Sequence, residues 1–411
     1  MILWLVLRTL RNRFGPNLLT LLAVTLAVGV ALAVPLTLSG LREGAIRASS
    51  IFNLLVTAKG SPTQAMLNTI FLQEAPVGNI PFALYAKLKA DARTQSAIPV
   101  GFGDNFDGFP LVGTNLDFFE LREKLTDPAF YRLERGRHFQ KTNEAVLGAQ
   151  AARVTGLKLG DQFESAHGFA ATLDPEAHDP NHPELEPKFT VVGVLESTGG
   201  PGDRGIYIDI RALWDDHGQV AVGSNGDTRE VTAVLYTPKR LGYVYQVAGQ
   251  LESGKYLPGA SSQAVFPGQT VGRLLDLLGQ GRVGYAVIGS LVLVLALATV
   301  AVNTYASALA GQRNLAILRA IGARAVTVIA VVLLESLVVT ALGVLLGIGL
   351  AYLGTFVAGW VLQQNVGLSL PILTLELSDA LRVLILLPVA VFFALFPALA
   401  ASRRSPLERL G

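Results

Sequence analysis

A chain of 411 residues that is 51% hydrophobic and only 16% charged is too apolar for one water-soluble domain and too polar to lie wholly in a membrane. Its net charge of +2 hides a segregation, since residues 39–283 hold 23 Lys+Arg against 27 Asp+Glu while the flanks hold 10 against 4. The polar part therefore lacks the concentrated basic face that a nucleic acid requires, and the absence of cysteine excludes disulfides, thiolate metal sites and a Cys nucleophile.

Residues 1–17 carry Arg8, Arg11 and Arg13 and precede residues 18–38, which contain no charged side chain. About 20 apolar residues at 1.5 Å each match a bilayer core, so 18–38 is predicted to be a first membrane span. A secretory signal is the rival reading, but the run is longer than a signal core and no small-residue cleavage site follows promptly. Three further apolar runs follow at 284–310, 326–357 and 383–402, the last containing Pro388 and Pro397. Positive flanks stay in the cytoplasm. Arg8, Arg11 and Arg13 place the N-terminus there, Arg313, Arg319 and Arg324 place 311–325 there, and Arg403, Arg404 and Arg409 place the tail 403–411 there. Residues 39–283 and the loop 358–382 then lie outside, and 359–378 indeed hold no Lys or Arg.

Within 39–283, "FTVVGVL" (189–195), "RGIYIDI" (204–210) and "TAVLYTP" (232–238) are β-branched runs bounded by Gly, Pro or Asp and read as strands. "PFALYAKLKADA" (81–92) has helical spacing, and "EAVLGAQAARVTGLKLGDQF" reads as strand, helix, Gly turn and strand. The expected fold is an α-helical membrane protein with four transmembrane helices and an α+β extracytoplasmic domain inserted between spans 1 and 2. The segments that join this domain to the membrane, "SGLREGAIRASSIF" and "GQTVGRLLDLLGQGRVGY", are helical in pattern and suggest a stalk or plain helix ends.

No G-x-x-x-x-G-K-[ST] loop occurs, so the backbone cradle and lysine that hold nucleotide phosphates are missing. Neither a G-x-S-x-G elbow nor an H-E-x-x-H helix is found. His178, Asp179 and His182 could ligate a metal, but Pro180 and Pro183 exclude the helix that would align the two imidazoles, and a solvated loop is the simpler account. No other metal site is predicted. Glu335 stands about 14 Å into the third span, where a carboxylate is expensive and faces the bundle interior. An interhelical hydrogen bond is expected of it, a proton or substrate relay being the alternative. Gly343-x-x-x-Gly347 on the same span has the spacing of a close helix contact.

The basic stretch "GQRNLAILRAIGARAVTV" (311–328) is amphipathic: on a helix Leu315, Leu318, Ile321 and Gly322 fall within an arc of about 120°, away from Arg313 and Arg324. The apolar stripe meets either lipid headgroups or a protein. "RNLAILRAIGARAVTVIAVVLLES" resembles the loop between the second and third spans of the FtsX/MacB-type permeases, the type VII ABC transporters. Ile317, Leu318, Arg319, Ala320, Ile321, Gly322, Ala323 and Glu335 match the pattern, whereas Asn314 stands where an acid is common and Ala316 where glycine is common. "LRTLRNRFGPNLLTLLAVTLAVGVAL" is similar to the family's first span, "FPALAASRRSPLERL" to its closing segment, and "GRHF", "NEAVLGAQAARVTGLKLGDQF" and "FTVVGVLESTG" to the core of its outer domain.

The resemblance implies a non-catalytic membrane subunit in which 311–325 is a coupling helix docked on a separate cytoplasmic ATPase. Arg313, Asn314, Leu315, Ile317, Leu318, Arg319, Ile321 and Gly322 would form that contact. ATP and Mg would bind the partner ATPase and not this chain. Two permease copies, a homodimer, would turn ATP binding into movement outside the membrane, by export or by mechanotransmission. A periplasmic adaptor or substrate protein and the lipid are the other implied partners, and the bacterial inner membrane is the implied location. The family also contains scaffolds that regulate an extracytoplasmic enzyme or signalling partner.

Overall fold

The computed structural model describes residues 8, 10–11, 14–123, 126–168, 188–219, 227–310, 325–370 and 377–403. In chain order come α1 (Phe14–Ser49), β1 (Leu54–Ala58), α2 (Pro62–Thr69), β2 (Ile80–Pro81), α3 (Phe82–Ala90), β3 (Thr94–Val100), β4 (Asp104–Phe106) and β5 (Phe109–Thr114). Next are β6 (Leu133–Gly136), β7 (Glu144–Leu147), α4 (Ala149–Thr155), β8 (Gln162–Glu164), β9 (Ala166–His167), β10 (Lys188–Leu195), β11 (Ile206–Asp209) and α5 (Ile210–Asp216). The remainder is β12 (Glu230–Val231), β13 (Ala233–Pro238), α6 (Gly242–Glu252), β14 (Ser262–Val265), α7 (Pro267–Ala310), α8 (Ala325–Val366), α9 (Leu377–Leu384) and α10 (Leu386–Arg403). These fall into a helical unit, Met1–Gly40 with Leu277–Gly359 and Ile372–Gly411, and an α/β unit, Leu41–Asp276 with Trp360–Pro371.

Among the described residues, two large sheets and a two-stranded pairing of β12 with β2 build the α/β unit. One is antiparallel in the order β14-β1-β13-β3; the other runs β6-β10-β7-β11-β5-β4-β9, with β8 on β10 and parallel pairs at β10/β7 and β11/β5. Successive strand side chains face opposite ways, and β1 shows the consequence. Leu54 and Val56 pack with Leu84 and Leu88 of α3 and Val247 of α6, whereas Leu55 turns into a core shared by both sheets. That shared core takes Ile98, Val100 and Leu235 from the first sheet and Val112, Val146 and Tyr207 from the second, closed by Phe118, Phe119 and Tyr131. On its other face the second sheet places Leu111, Leu147, Ile206 and Ile208 against Ala151 of α4 and Leu213 of α5. The β-branched runs near 189, 204 and 232 thus become β10, β11 and β13, and 81–92 becomes α3. Gly156 stops α4 at φ +73°, a left-handed conformation that glycine adopts without strain.

Among the described residues, three helical stretches are long and apolar enough to cross a membrane, Phe14–Ser49, Val287–Ala306 and Ile329–Val366, while the apolar Leu386–Phe396 is shorter. Val24, Val28, Leu32 and Leu36, four residues apart on α1, form one buried stripe with Val300 of α7, Val344 and Ala351 of α8, and Leu386 and Ala390 of α10. Their opposite faces expose Leu19, Leu22, Leu26, Leu291, Leu295, Leu345, Leu353 and Phe356, the surface a lipid-facing helix presents. Near 385 the helix breaks into α9 and α10. Pro388 lacks an N–H and its ring crowds the carbonyl four residues earlier, which falls at the end of α9.

Candidate functional site

Arg313, Asn314, Leu315, Ile317, Leu318, Arg319, Ile321 and Gly322, expected to form a coupling helix, lie outside the described residues, as do His178 and His182. Of the helices that flank 311–324, α7 ends at Ala310 and α8 begins at Ala325.

Glu335 is buried on α8 with 7% of its surface exposed, and its Oε1 accepts from Nδ2 of Asn17, itself 9% exposed, at 3.1 Å. The expected interhelical hydrogen bond therefore exists, and its donor comes from the first turn of α1. Further along, the hydroxyl of Thr25 donates to the carbonyl of Gly343 at 3.4 Å. A Cβ on Gly343 would stand 2.8 Å from Cβ of Val24, and one on Gly347 would stand 2.6 Å from Cβ of Val28. Both glycines are thus needed for backbone approach. The pairs 17/335, 24/343 and 28/347 advance together, so α1 and α8 run parallel in close contact.

The last turns of α8, from Trp360 on, belong to the α/β unit. The last four carbonyls of a helix have no partner within its regular ladder, and here those of Gln363, Gln364 and Asn365 find donors. Gly367, at φ +75°, donates its N–H to the carbonyl of Gln363 at 3.2 Å. Nε2 of buried Gln150 donates to Gln364 O at 2.8 Å, and Nη1 of Arg204 to Asn365 O at 3.0 Å, which Gln73 Nε2 also reaches at 3.5 Å. Leu368 sinks into the core shared by the two sheets. Ser369 then donates from N and Oγ to Gly199 O at 2.9 and 3.0 Å. The turn that presents Gly199 is shaped by buried Asp203, whose carboxylate accepts from Ser197 Oγ, Thr198 N, Thr198 Oγ1 and Gly199 N. Burial lowers the proton affinity of the Arg204 guanidinium, but arginine stays a cation at any pH a protein meets, and it also lies over the Phe109 ring at 5.3 Å. Reading 358–382 simply as an outer loop missed this joint. The signal available was Gly367-Leu368 after a long apolar run, the glycine and hydrophobe that close a helix C-terminus.

A second group escaped notice in the sequence: Asp104, His167, Asp216 and His217 converge, with ligand-type atoms all within 4.8 Å of one another.

A family model described as the MacB-like periplasmic core domain matches residues 17–264, and one described as the FtsX-like permease C-terminal matches 286–407. The chain is similar to the periplasmic region of MacB from Actinobacillus actinomycetemcomitans, at 12% identity and TM-score 0.36 over 56% of this chain and 95% of that one. It is also similar to the extracellular domain of the noncanonic ABC-type transporter YknZ from Gram-positive bacteria, at 11% identity and TM-score 0.32 over 52% of this chain and 99% of that one. No curated relative matches the chain.

Proposed function

The chain belongs to the FtsX/MacB-type ABC transporter permeases, and from that premise we propose that it couples ATP hydrolysis in a separate ATPase subunit to conformational work by its α/β unit outside the membrane. The observation that carries this reading is α8. It is one continuous helix from Ala325 to Val366, packed on α1 through Gly343 and Gly347 and capped at its end by Gln73, Gln150 and Arg204. A helix gripped along its length and at its tip passes movement on. Export of a substrate held outside and mechanotransmission without passage both use such a part.

In this proposal the bundle has four spans, with α10 as the fourth and both termini in the cytoplasm of a bacterial inner membrane. The parallel course of α1 and α8 supports it, because first and third spans of one bundle cross in the same direction. ATP and Mg bind the partner chain, since this one has no phosphate-binding Gly-Lys loop. Leu315, Leu318 and Ile321 dock on that partner, with Arg313, Asn314, Ile317, Arg319 and Gly322 completing the contact, and a second copy of the chain completes a homodimer. The chain itself is non-catalytic.

Leu318→Asp with Ile321→Asp tests the docking. The variant is expected to reach the membrane and to lose its co-purifying ATPase; retention of the ATPase would refute the assignment of this segment.

A further inference from the structure

The cluster at Asp104, His167, Asp216 and His217 uses none of the residues assigned to coupling. β4 opens on Asp104 and β9 ends on His167, and the antiparallel register pairs these two residues directly. Asn105 holds the pair closed, its Nδ2 donating to Ala166 O at 3.3 Å and to Gly168 O at 2.9 Å. Asp216 is the last residue of α5, and His217 caps that helix. Two remote segments are thus brought to one point at the edge of the second sheet.

The donor atoms are arranged about a common centre. His167 Nδ1 lies 3.0 Å from Asp104 Oδ1 and 3.9 Å from Asp216 Oδ2, and His217 Nε2 lies 3.9 Å from Asp104 Oδ1. His217 Nδ1 sits 2.9 Å from the carbonyl of Leu213. A carbonyl only accepts, so Nδ1 carries a proton and Nε2 is the nitrogen turned toward the aspartates. A backbone carbonyl fixing one imidazole nitrogen so that the other can ligate is the common outer arrangement of metal-binding histidines. Gly103 makes room for the ring, since a Cβ there would come within 2.9 Å of His217 Cε1 and 3.1 Å of Nε2.

The carboxylates are short of positive charge. Asp104 is 1% exposed, and among the described residues neither its Oδ2 nor Oδ2 of Asp216 has a hydrogen-bond donor, although both atoms are buried. Buried carboxylate oxygens ordinarily have donors or a metal. Burial accordingly raises the proton affinity of Asp104, and the nearby Asp216 adds to the effect.

We propose that Asp104, His167, Asp216 and His217 form a binding site for a divalent transition-metal ion, zinc being the best match, which staples the β4/β9 edge to the end of α5. Two imidazoles and two carboxylates suit zinc and disfavour calcium or magnesium, which take oxygen donors alone. With zinc bonds of about 2.0–2.1 Å, neighbouring ligand atoms in a tetrahedral site stand about 3.3 Å apart. The present spacings, up to 4.8 Å, close on binding through rotation of the half-exposed His167 ring together with a shift of His217 toward Asp104. The sequence hides the site because its histidines are 50 residues apart on different elements.

The test uses the full chain in detergent, purified without a histidine tag, stripped with chelator and titrated with zinc alone against a colorimetric competitor. One tightly held zinc per chain is expected. His167→Ala and His217→Ala should each weaken it at least about tenfold, and Gly103→Ala should weaken it while every ligand is retained. His178→Ala with His182→Ala should leave the affinity unchanged. His167 is half-exposed, so its variant should keep the folded circular dichroism spectrum even if Asp104→Asn does not. Absence of stoichiometric zinc, or binding that survives the His167/His217 double variant, or binding lost only in the His178/His182 variant, would overturn the proposal.

Discussion

Replacing Gly347 by alanine adds one methyl at the contact between α1 and α8. That methyl would lie 2.6 Å from Val28 Cβ, 2.7 Å from its Cγ1 and 2.9 Å from the carbonyl oxygen of Thr25, whereas carbon atoms rest about 3.5–4.0 Å apart. Val28 is fully buried and β-branched, hence stiff at χ1, and the carbonyl belongs to the backbone. Relief therefore requires the helices to part by about 1 Å, an overpacking that costs about 1–3 kcal/mol. Alanine also gains about 1 kcal/mol of helix propensity over glycine, which Gly349→Ala isolates, because nothing lies within 4 Å of a Cβ there. The difference between the two variants cancels the propensity and should read about 1–3 kcal/mol against Gly347→Ala. Reversible unfolding by SDS in mixed micelles, followed by circular dichroism, measures it. Trimming the obstacle with Val28→Ala should recover part of the loss in the double variant. If Gly347→Ala and Gly349→Ala agree within about 0.5 kcal/mol, the close approach of α1 and α8 is refuted.

In the same assay Glu335→Leu, which strands Asn17, should cost about 0.6–2 kcal/mol, while Glu335→Gln retains an acceptor and should be nearly neutral. Arg204→Ala removes a charged donor worth about 1.5–3 kcal/mol from the end of α8, so amide exchange at 365–369 should quicken about tenfold or more while β10 and β11 keep their protection. The Glu144 carboxylate accepts from Arg137 at 2.6 and 2.7 Å, and these bonds hold its pKa at about 2. A depressed carboxylate contributes stability above its unfolded value of about 4.3 and loses it as pH falls toward 2. Glu144→Gln should therefore lower the unfolding midpoint at pH 6, with the gap to the parent closing between pH 4 and pH 2.

What could be read in advance was local. β10, β11 and β13 follow from short β-branched runs, and α4 with its stop at Gly156 from a single glycine after a helical pattern. The cost of a carboxylate in lipid foretold a partner for Glu335 but not that Asn17, 318 residues away, supplies it. Glycine spacing suggested an interface without saying that Val24 and Val28 fill it. Gly367-Leu368 marks where α8 stops, but which side chains cap it, and the meeting of the Asp/His cluster, depend on sheet register and on which turn meets which strand, and no spacing in the chain encodes these.

The clamp on α8 grips more than its height. Gln364 and Asn365 are neighbours, so the carbonyls held by Gln150 and Arg204 stand about 100° apart around the helix axis. A rod held at two azimuths cannot roll freely in its socket. The end of α8 is therefore fixed in rotation as well as in height against the segments that carry Gln150 and Arg204.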